Sequence, residues 1–132
     1  MILVDSNIIF DILDKDPVWL SWSVMQLRNF AIRDELAINP VVYAEISPRF
    51  PAPAEVDEVL AEMEIKLLSI PRAAAFLAGK AFVQYRRQGG TKGNVLPDFF
   101  IGAHAFVLGC ALLTRDIRRY AAYFPGVALI AP

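Results

Sequence analysis

Asp5, Glu45, Asp98 and Asp116 are the residues of this sequence whose type and placement point to chemistry. Asp5 follows the apolar run Ile2-Leu3-Val4, and Asp116 follows Ala111-Leu112-Leu113. Glu45 is read as early in the helix after Leu36-Ala37-Ile38, and Asp98 as the start of the helix that precedes Ala111. In an open parallel α/β sheet, sites form at the carboxyl ends of the strands, so the four can reach one edge. Carboxylates crowded in a partly buried cleft repel one another and raise each other's pKa unless a cation holds them ionised. Oxygen-only ligands, with no imidazole or thiolate, favour Mg²⁺ or Mn²⁺. Such an ion activates and orients a water for in-line attack on phosphorus and stabilises the leaving oxygen. Metal-assisted phosphodiester hydrolysis is the chemistry that fits. Any one of these acids alone is more simply a helix cap or a first-turn residue complementing a macrodipole. The set of four is what favours a site.

The elements that must position these acids alternate between strand and helix. After the first strand, Ser6-Asn7 is expected to cap a helix through about Asp14. Asp16-Pro17 offers a cap and a first-turn proline for a helix to about Arg33, with Leu20, Val24, Leu27 and Ala31 on one face. Asn39-Pro40 opens a short helix, Pro48, Pro51 and Pro53 force a loop, and Val56, Val59, Leu60 and Met63 mark the next helix. Lys66-Leu67-Leu68 reads as the third strand and about Pro71 to Gln88 as a long helix. A loop, Gly89 to Asn94, leads to a helix from Pro97 to about Gly109. A short helix after Asp116 and a fifth strand, Val127 to Ile130, complete the order. The expectation is one α/β domain over residues 1–132, with a central, mainly parallel five-stranded sheet and helices on both faces.

Composition narrows the alternatives. One cysteine, Cys110, and one histidine, His104, exclude a disulfide framework and a single-chain Cys/His zinc site, and point to a cytoplasmic setting. Thirteen Lys and Arg against fourteen Asp and Glu leave a net charge of -1, so nucleic acid must be met by a local basic patch. The sequence is 56% hydrophobic, with a mean hydropathy of +0.43. The longest uncharged stretch, Phe99 to Thr114, is too short and too interrupted for a membrane span. No secretory signal is expected of Met1-Ile2-Leu3-Val4-Asp5, which meets a carboxylate at once. The apolar surplus suggests a surface that a partner chain covers.

His104 follows Asp98 by about 240° around a helix and should point away from the acids, as a structural histidine. Arg86, Arg87 and Lys92, beside the Gly89 to Asn94 loop, are possible RNA contacts, with solvated surface as the competing account. That loop lacks the spacing of a nucleotide P-loop. Arg115, Arg118 and Arg119 either reach substrate or pair with local acids. Trp19, Trp22 and Met25 lie off the apolar stripe of their helix and are candidates for a partner interface, with core packing as the alternative.

Taken in order, Asp5-Ser6-Asn7, Glu45 after Asn39-Pro40, the segment Leu96-Pro97-Asp98-Phe99-Phe100-Ile101-Gly102-Ala103-His104-Ala105 and Thr114-Arg115-Asp116 resemble the PIN-domain ribonucleases. Among these the sequence is most similar to the VapC-type toxins of prokaryotic toxin–antitoxin pairs. The resemblance implies a five-stranded PIN fold, Mg²⁺- or Mn²⁺-dependent endoribonuclease activity and inhibition by a cognate antitoxin. It implies that Asp5 and Asp98 are direct metal ligands and that Glu45 and Asp116 act directly or through water. Asn7 and Thr114 would orient waters, a carboxylate or the scissile phosphate. Ser6 would either assist or only cap. A homodimer within a higher toxin–antitoxin assembly is the expected state. The connection from Ser47 to Pro53 is more proline-rich than the family pattern.

Two other readings compete. A non-catalytic PIN-like module has no reason to tolerate the repulsion of four acids. A phosphatase with an aspartate nucleophile wants a second acid two residues after the first, where Asn7 stands, and its lysine has no clear counterpart.

Overall fold

Five three-residue or shorter strands and seven helices follow one another along the chain, and the computed structural model describes all of residues 1–132. The order is β1 (Ile2–Val4), α1 (Ser6–Leu13), α2 (Leu20–Arg33), β2 (Leu36–Ile38), α3 (Pro40–Ile46), α4 (Pro53–Glu62) and β3 (Ile65–Leu67). It continues with α5 (Arg72–Arg87), α6 (Leu96–Leu108), β4 (Ala111–Leu113), α7 (Ile117–Tyr123) and β5 (Leu129–Ile130). Single 3₁₀ turns over Ser47–Arg49 and Gly93–Val95 precede α4 and α6.

The sheet has the order β3-β2-β1-β4-β5 and every pair is parallel. Ile2 pairs with Leu36 on one side and Ala111 on the other, so all three residues of β1 are buried between neighbours. From β1 the chain steps outward to β2 and β3, then crosses back to β4 and β5. With right-handed crossovers, the connections of the two halves lie on opposite faces, and β1 and β4 flank the point where the winding reverses. The residues after β1 and β4 therefore open onto a crevice at the carboxyl edge.

Local sequence explains most boundaries, and corrects several expectations. The cap of α1 is Asp5 itself, whose Oδ1 accepts from the Ser6 N–H at 2.8 Å; Ser6 and Asn7 are already helical. Asp16 caps a turn rather than the helix: its Oδ1 accepts from the Val18 and Trp19 N–H groups, and α2 starts only at Leu20. The face that α2 buries runs through Ser23 and Leu27, and Trp22, Phe30 and Ala31 pack partly against the core. Asn39 does cap α3, with its Oδ1 accepting from Val41 and Val42, but Glu45 lies in the last turn of that helix rather than early in it. Pro53 begins α4 instead of extending the loop, consistent with the fit of proline at a first helical position. β3 begins one residue earlier than the apolar pattern suggests and β5 keeps only Leu129 and Ile130.

The core is one continuous cluster, centred on β1, β2, β4 and the buried face of α6. Phe99 packs on Phe82, Tyr85, Tyr123 and Phe124 with ring centroids 5.0 to 6.4 Å apart. This aromatic cluster fixes α6 against α5 and α7, and with it the first turn that carries Asp98. The left-handed Gly109 (φ 64°) ends α6 and turns the chain into β4. No helix is long and apolar enough to cross a membrane.

Candidate active site

Asp5 is buried, yet its carboxylate is fully engaged by donors. Oδ1 takes the Ser6 N–H; Oδ2 takes the Thr114 hydroxyl at 2.7 Å, the Tyr120 hydroxyl at 3.0 Å and the Asn7 amide at 3.3 Å. Burial pushes its pKa up to about 6, Asp98 adds to the rise, and the donors from Thr114, Tyr120 and Ser6 offset part of it. Glu45 faces the same crevice from α3. Burial is again the first cause of its rise to about 7, followed by the charge of Asp5; the Ser6 hydroxyl counteracts and Asp98 adds a little. Its Oε1 is buried without any hydrogen-bond partner.

Asp98, in the first turn of α6, pairs with Arg119 through Oδ2 and Nη1. Burial holds its pKa above the ordinary value, Arg119 pulls it down, and Asp116 pushes it up. Asp116 stands at the start of α7 without capping it by its side chain, and its N–H donates to Thr114 Oγ1 at 2.9 Å. Thr114 thus binds Asp5, Asn7 and the backbone of Asp116 through one oxygen. Asn7 closes the ring: its Oδ1 accepts from the Arg115 N–H at 3.2 Å, tying the start of α1 to the turn after β4.

Mutual repulsion is therefore present among the acids, but desolvation by burial is the larger effect at each carboxyl that shifts. No three acidic, histidine or cysteine side chains converge closely enough, as they stand, to enclose an ion. The donor set is all oxygen, and the unpartnered Glu45 Oε1 is an acceptor with nothing to accept from; both suit a hard divalent cation.

Other expectations are redistributed. Arg115 does not face the acids: its Nε and Nη2 grip the buried Asp11 at 2.9 and 2.8 Å, and its guanidinium lies 5.3 Å from the centre of the Trp19 ring. Ser23 completes this cluster with a 2.6 Å bond to Asp11. Trp19 meets Trp22 edge to face, and Trp22 itself packs on the core, so the free apolar surface there is that of Met25, half exposed. Arg86 covers the Phe82 ring, and neither it, Arg87 nor Lys92 touches an acid of the site; all three are exposed. His104 is buried, 3.3 Å from Asn39 Nδ2. Because Asn39 Oδ1 is committed to its helix cap, its amide N–H faces the ring, so His104 Nδ1 accepts and its proton sits on Nε2. Burial lowers the pKa of His104 and keeps it neutral.

Sequence reasoning missed Tyr120 and Asp11. The signal for Tyr120 was its spacing, four residues after Asp116 on a helix and hence on the same face. The signal for Asp11 was an acid on the apolar helix Ser6–Leu13, which demands a partner when buried.

The fold and site define an α/β protein with an acidic crevice at the switch point of an all-parallel sheet. The family model of the PIN domain matches residues 2–125, and the chain belongs to that family. No curated protein matches it in sequence. Among solved structures it is similar to a chain of VapBC2 from Rickettsia felis bound to a promoter DNA fragment, with a TM-score of 0.75 and 20% identity over 100% of this chain and 99% of that one. A chain of VapBC-1 from nontypeable Haemophilus influenzae gives 0.72 and 22% over 99% and 98%. A chain of FitAcB from Neisseria gonorrhoeae gives 0.70 and 20% over 100% and 98%. At such identities the likeness is one of fold.

Proposed function

We propose that this chain is the toxin of a toxin–antitoxin pair, a metal-dependent endoribonuclease that hydrolyses RNA phosphodiester bonds and is neutralised by a cognate antitoxin. The observation that carries the reading is the gathering of Asp5, Glu45 and Asp98 at the carboxyl edge, buried enough that all three are harder to ionise than free carboxyls. A protein has little reason to bury three acids together with a single arginine to balance them, on Asp98, unless a further cation is to join them. The PIN-domain membership and the toxin–antitoxin complexes among its structural neighbours support the same reading.

Asp5 and Asp98, with Glu45 and Asp116 directly or through water, would hold Mg²⁺ or Mn²⁺. When bound, such an ion supplies an activated water and stabilises charge on the leaving oxygen. The chain's own groups do the positioning. Thr114, Tyr120 and Asn7 fix Asp5 in one orientation. Glu45 Oε1 is the acceptor left open to take a hydrogen bond from water. Exposed Arg86, Arg87 and Lys92 are available to RNA phosphates at the rim, and the antitoxin would cover the apolar surface of α2 around Met25. A homodimer within a toxin–antitoxin assembly, acting in the cytoplasm, completes the proposal.

Expression of the chain alone in a bacterial host tests the toxin reading. Wild type is expected to arrest growth and Asp5→Asn to leave it unaffected. Unimpaired growth with well-expressed wild type contradicts the reading.

A further inference from the structure

We propose that Arg119 is the resident counter-ion of the acidic site, holding Asp98 until a divalent cation takes that carboxylate and displaces it. The inference rests on the metal-dependent reading above and deepens it: the site carries its own competitor for the metal.

The four acids differ in what neutralises them. Asp5 is met by hydroxyl, amide and backbone donors, none of them charged, and Glu45 Oε1 is met by nothing. Arg115, next to Asp116 in sequence, is committed to Asp11, and Arg118 is exposed and forms no ion pair. Arg119 is thus the one cation paired with any of the four acids, and it chooses Asp98. Both side chains are mostly buried, 22% and 23% exposed, so the pair is shielded from the solvent screening that makes surface ion pairs weak.

Its placement belongs to the site. Arg119 lies three residues after Asp116 and beside Tyr120, whose hydroxyl binds Asp5. The first turns of α7 therefore deliver an acid, a guanidinium and a phenol to one crevice. Asp98, engaged by Arg119, does not join Asp5 and Glu45 in a set close enough to enclose an ion. Because arginine keeps its charge throughout the accessible pH range, it does not let go of the ionised Asp98 by losing a proton; another cation can displace it. Two cations that compete for one carboxylate are coupled unfavourably, and the coupling is reciprocal. The same contact stabilises the metal-free fold, since without it a largely buried Asp98 faces Asp116, Asp5 and Glu45 uncompensated.

Calorimetric titration of Mn²⁺ into the full chain, together with melting in EDTA, tests the proposal on wild type and Arg119→Gln. The variant is expected to bind Mn²⁺ about fivefold or more tightly. It is also expected to melt lower in EDTA, with the gap closing at saturating Mn²⁺. A purely structural arginine would lower the melting temperature and leave the Kd unmoved. Equal or weaker Mn²⁺ binding by folded Arg119→Gln overturns the counter-ion role while leaving the metal reading intact. Failure of wild type and variant alike to bind Mn²⁺ overturns both. Should Arg119→Gln fail to fold, Arg119→Lys, which keeps the charge but loses the planar fork, must still bind Mn²⁺ more tightly than wild type; if it does not, the proposal falls.

Discussion

At the scale of single residues, Thr114 ties together the segments that carry the acids. Its one hydroxyl donates to Asp5 and accepts from Asn7 and the Asp116 backbone, so it sets the spacing between the ends of β1 and β4. Thr114→Val keeps the shape and removes all three bonds. It is expected to cost about 1–3 kcal/mol, the penalty for leaving buried partners unsatisfied, measurable by urea denaturation. A loss below a few tenths would show that the hydroxyl is not structural. The raised carboxyls make a second prediction, with its sign fixed by linkage. Asp5 goes from 3.8 to about 6 and Glu45 from 4.5 to about 7, so the folded, metal-free state binds more protons than the unfolded chain in this window. Their contribution is complete below pH 4 and is lost as pH rises towards 7, about 3 kcal/mol from Asp5 alone. Calorimetric melting in EDTA should show stability falling between about pH 4 and 7 from these groups; a stability that rises through that window would refute the burial of these acids as described. The placement of Asp5 and Asp116 was legible because each closely follows a short apolar strand run. Tyr120 and Asp11 were not, because a tyrosine in an apolar helix reads as core and an acid's partner a hundred residues away leaves no local trace.

At the scale of elements, the Asp11–Arg115 pair is a clamp. It joins α1 to the turn between β4 and α7, and through Ser23 and Trp19 it reaches α2. Arg115→Met strands a buried carboxylate and is expected to cost about 3–5 kcal/mol. The double variant Asp11→Leu/Arg115→Met should recover much of that loss, because neither charge is left alone; a double loss equal to the sum of the two single losses would mean that the pair is not coupled. Two glycines separate packing from propensity. A Cβ on Gly102 of α6 would meet Phe124 Cδ2 at 2.4 Å, whereas one on Gly79 of α5 meets nothing within 4 Å. Gly102→Ala is therefore expected to destabilise by about 1–3 kcal/mol. Gly79→Ala should stabilise by about 0.5–1 kcal/mol, as alanine does in an open helix position. Thermal unfolding distinguishes them, and equal effects would contradict the packing. Element order, strand positions and the Pro97 helix start were legible, since proline, glycine and short β-branched runs mark them locally. The start of α2 and the position of Glu45 late in α3 were not. Asp16 spends its carboxylate on a turn that the cap pattern imitates, and Asn39-Pro40 fixes where α3 begins without fixing which turn faces the crevice.

At the scale of the whole molecule, the apolar surplus of the sequence is visible on the surface. Met25 and Ile32 of α2, Phe76 and Val83 of α5 and Phe106 to Leu108 at the end of α6 stand exposed. Met25→Glu is expected to change stability by less than about 0.5 kcal/mol, as exposed substitutions do, while abolishing co-purification with the proposed antitoxin. Retained co-purification would move the interface elsewhere. The five-stranded parallel sheet brings together residues from four separate segments, and its strand order is what makes one site of them. That convergence is the claim on which the functional account stands. The most direct test is cleavage of a total small-RNA pool by the purified chain, with wild type and Asp5→Asn side by side in Mn²⁺ and in EDTA. Discrete products in the wild-type Mn²⁺ reaction alone are the expected result. Equal cleavage by Asp5→Asn, or cleavage undiminished by EDTA, would contradict a nuclease built on these acids.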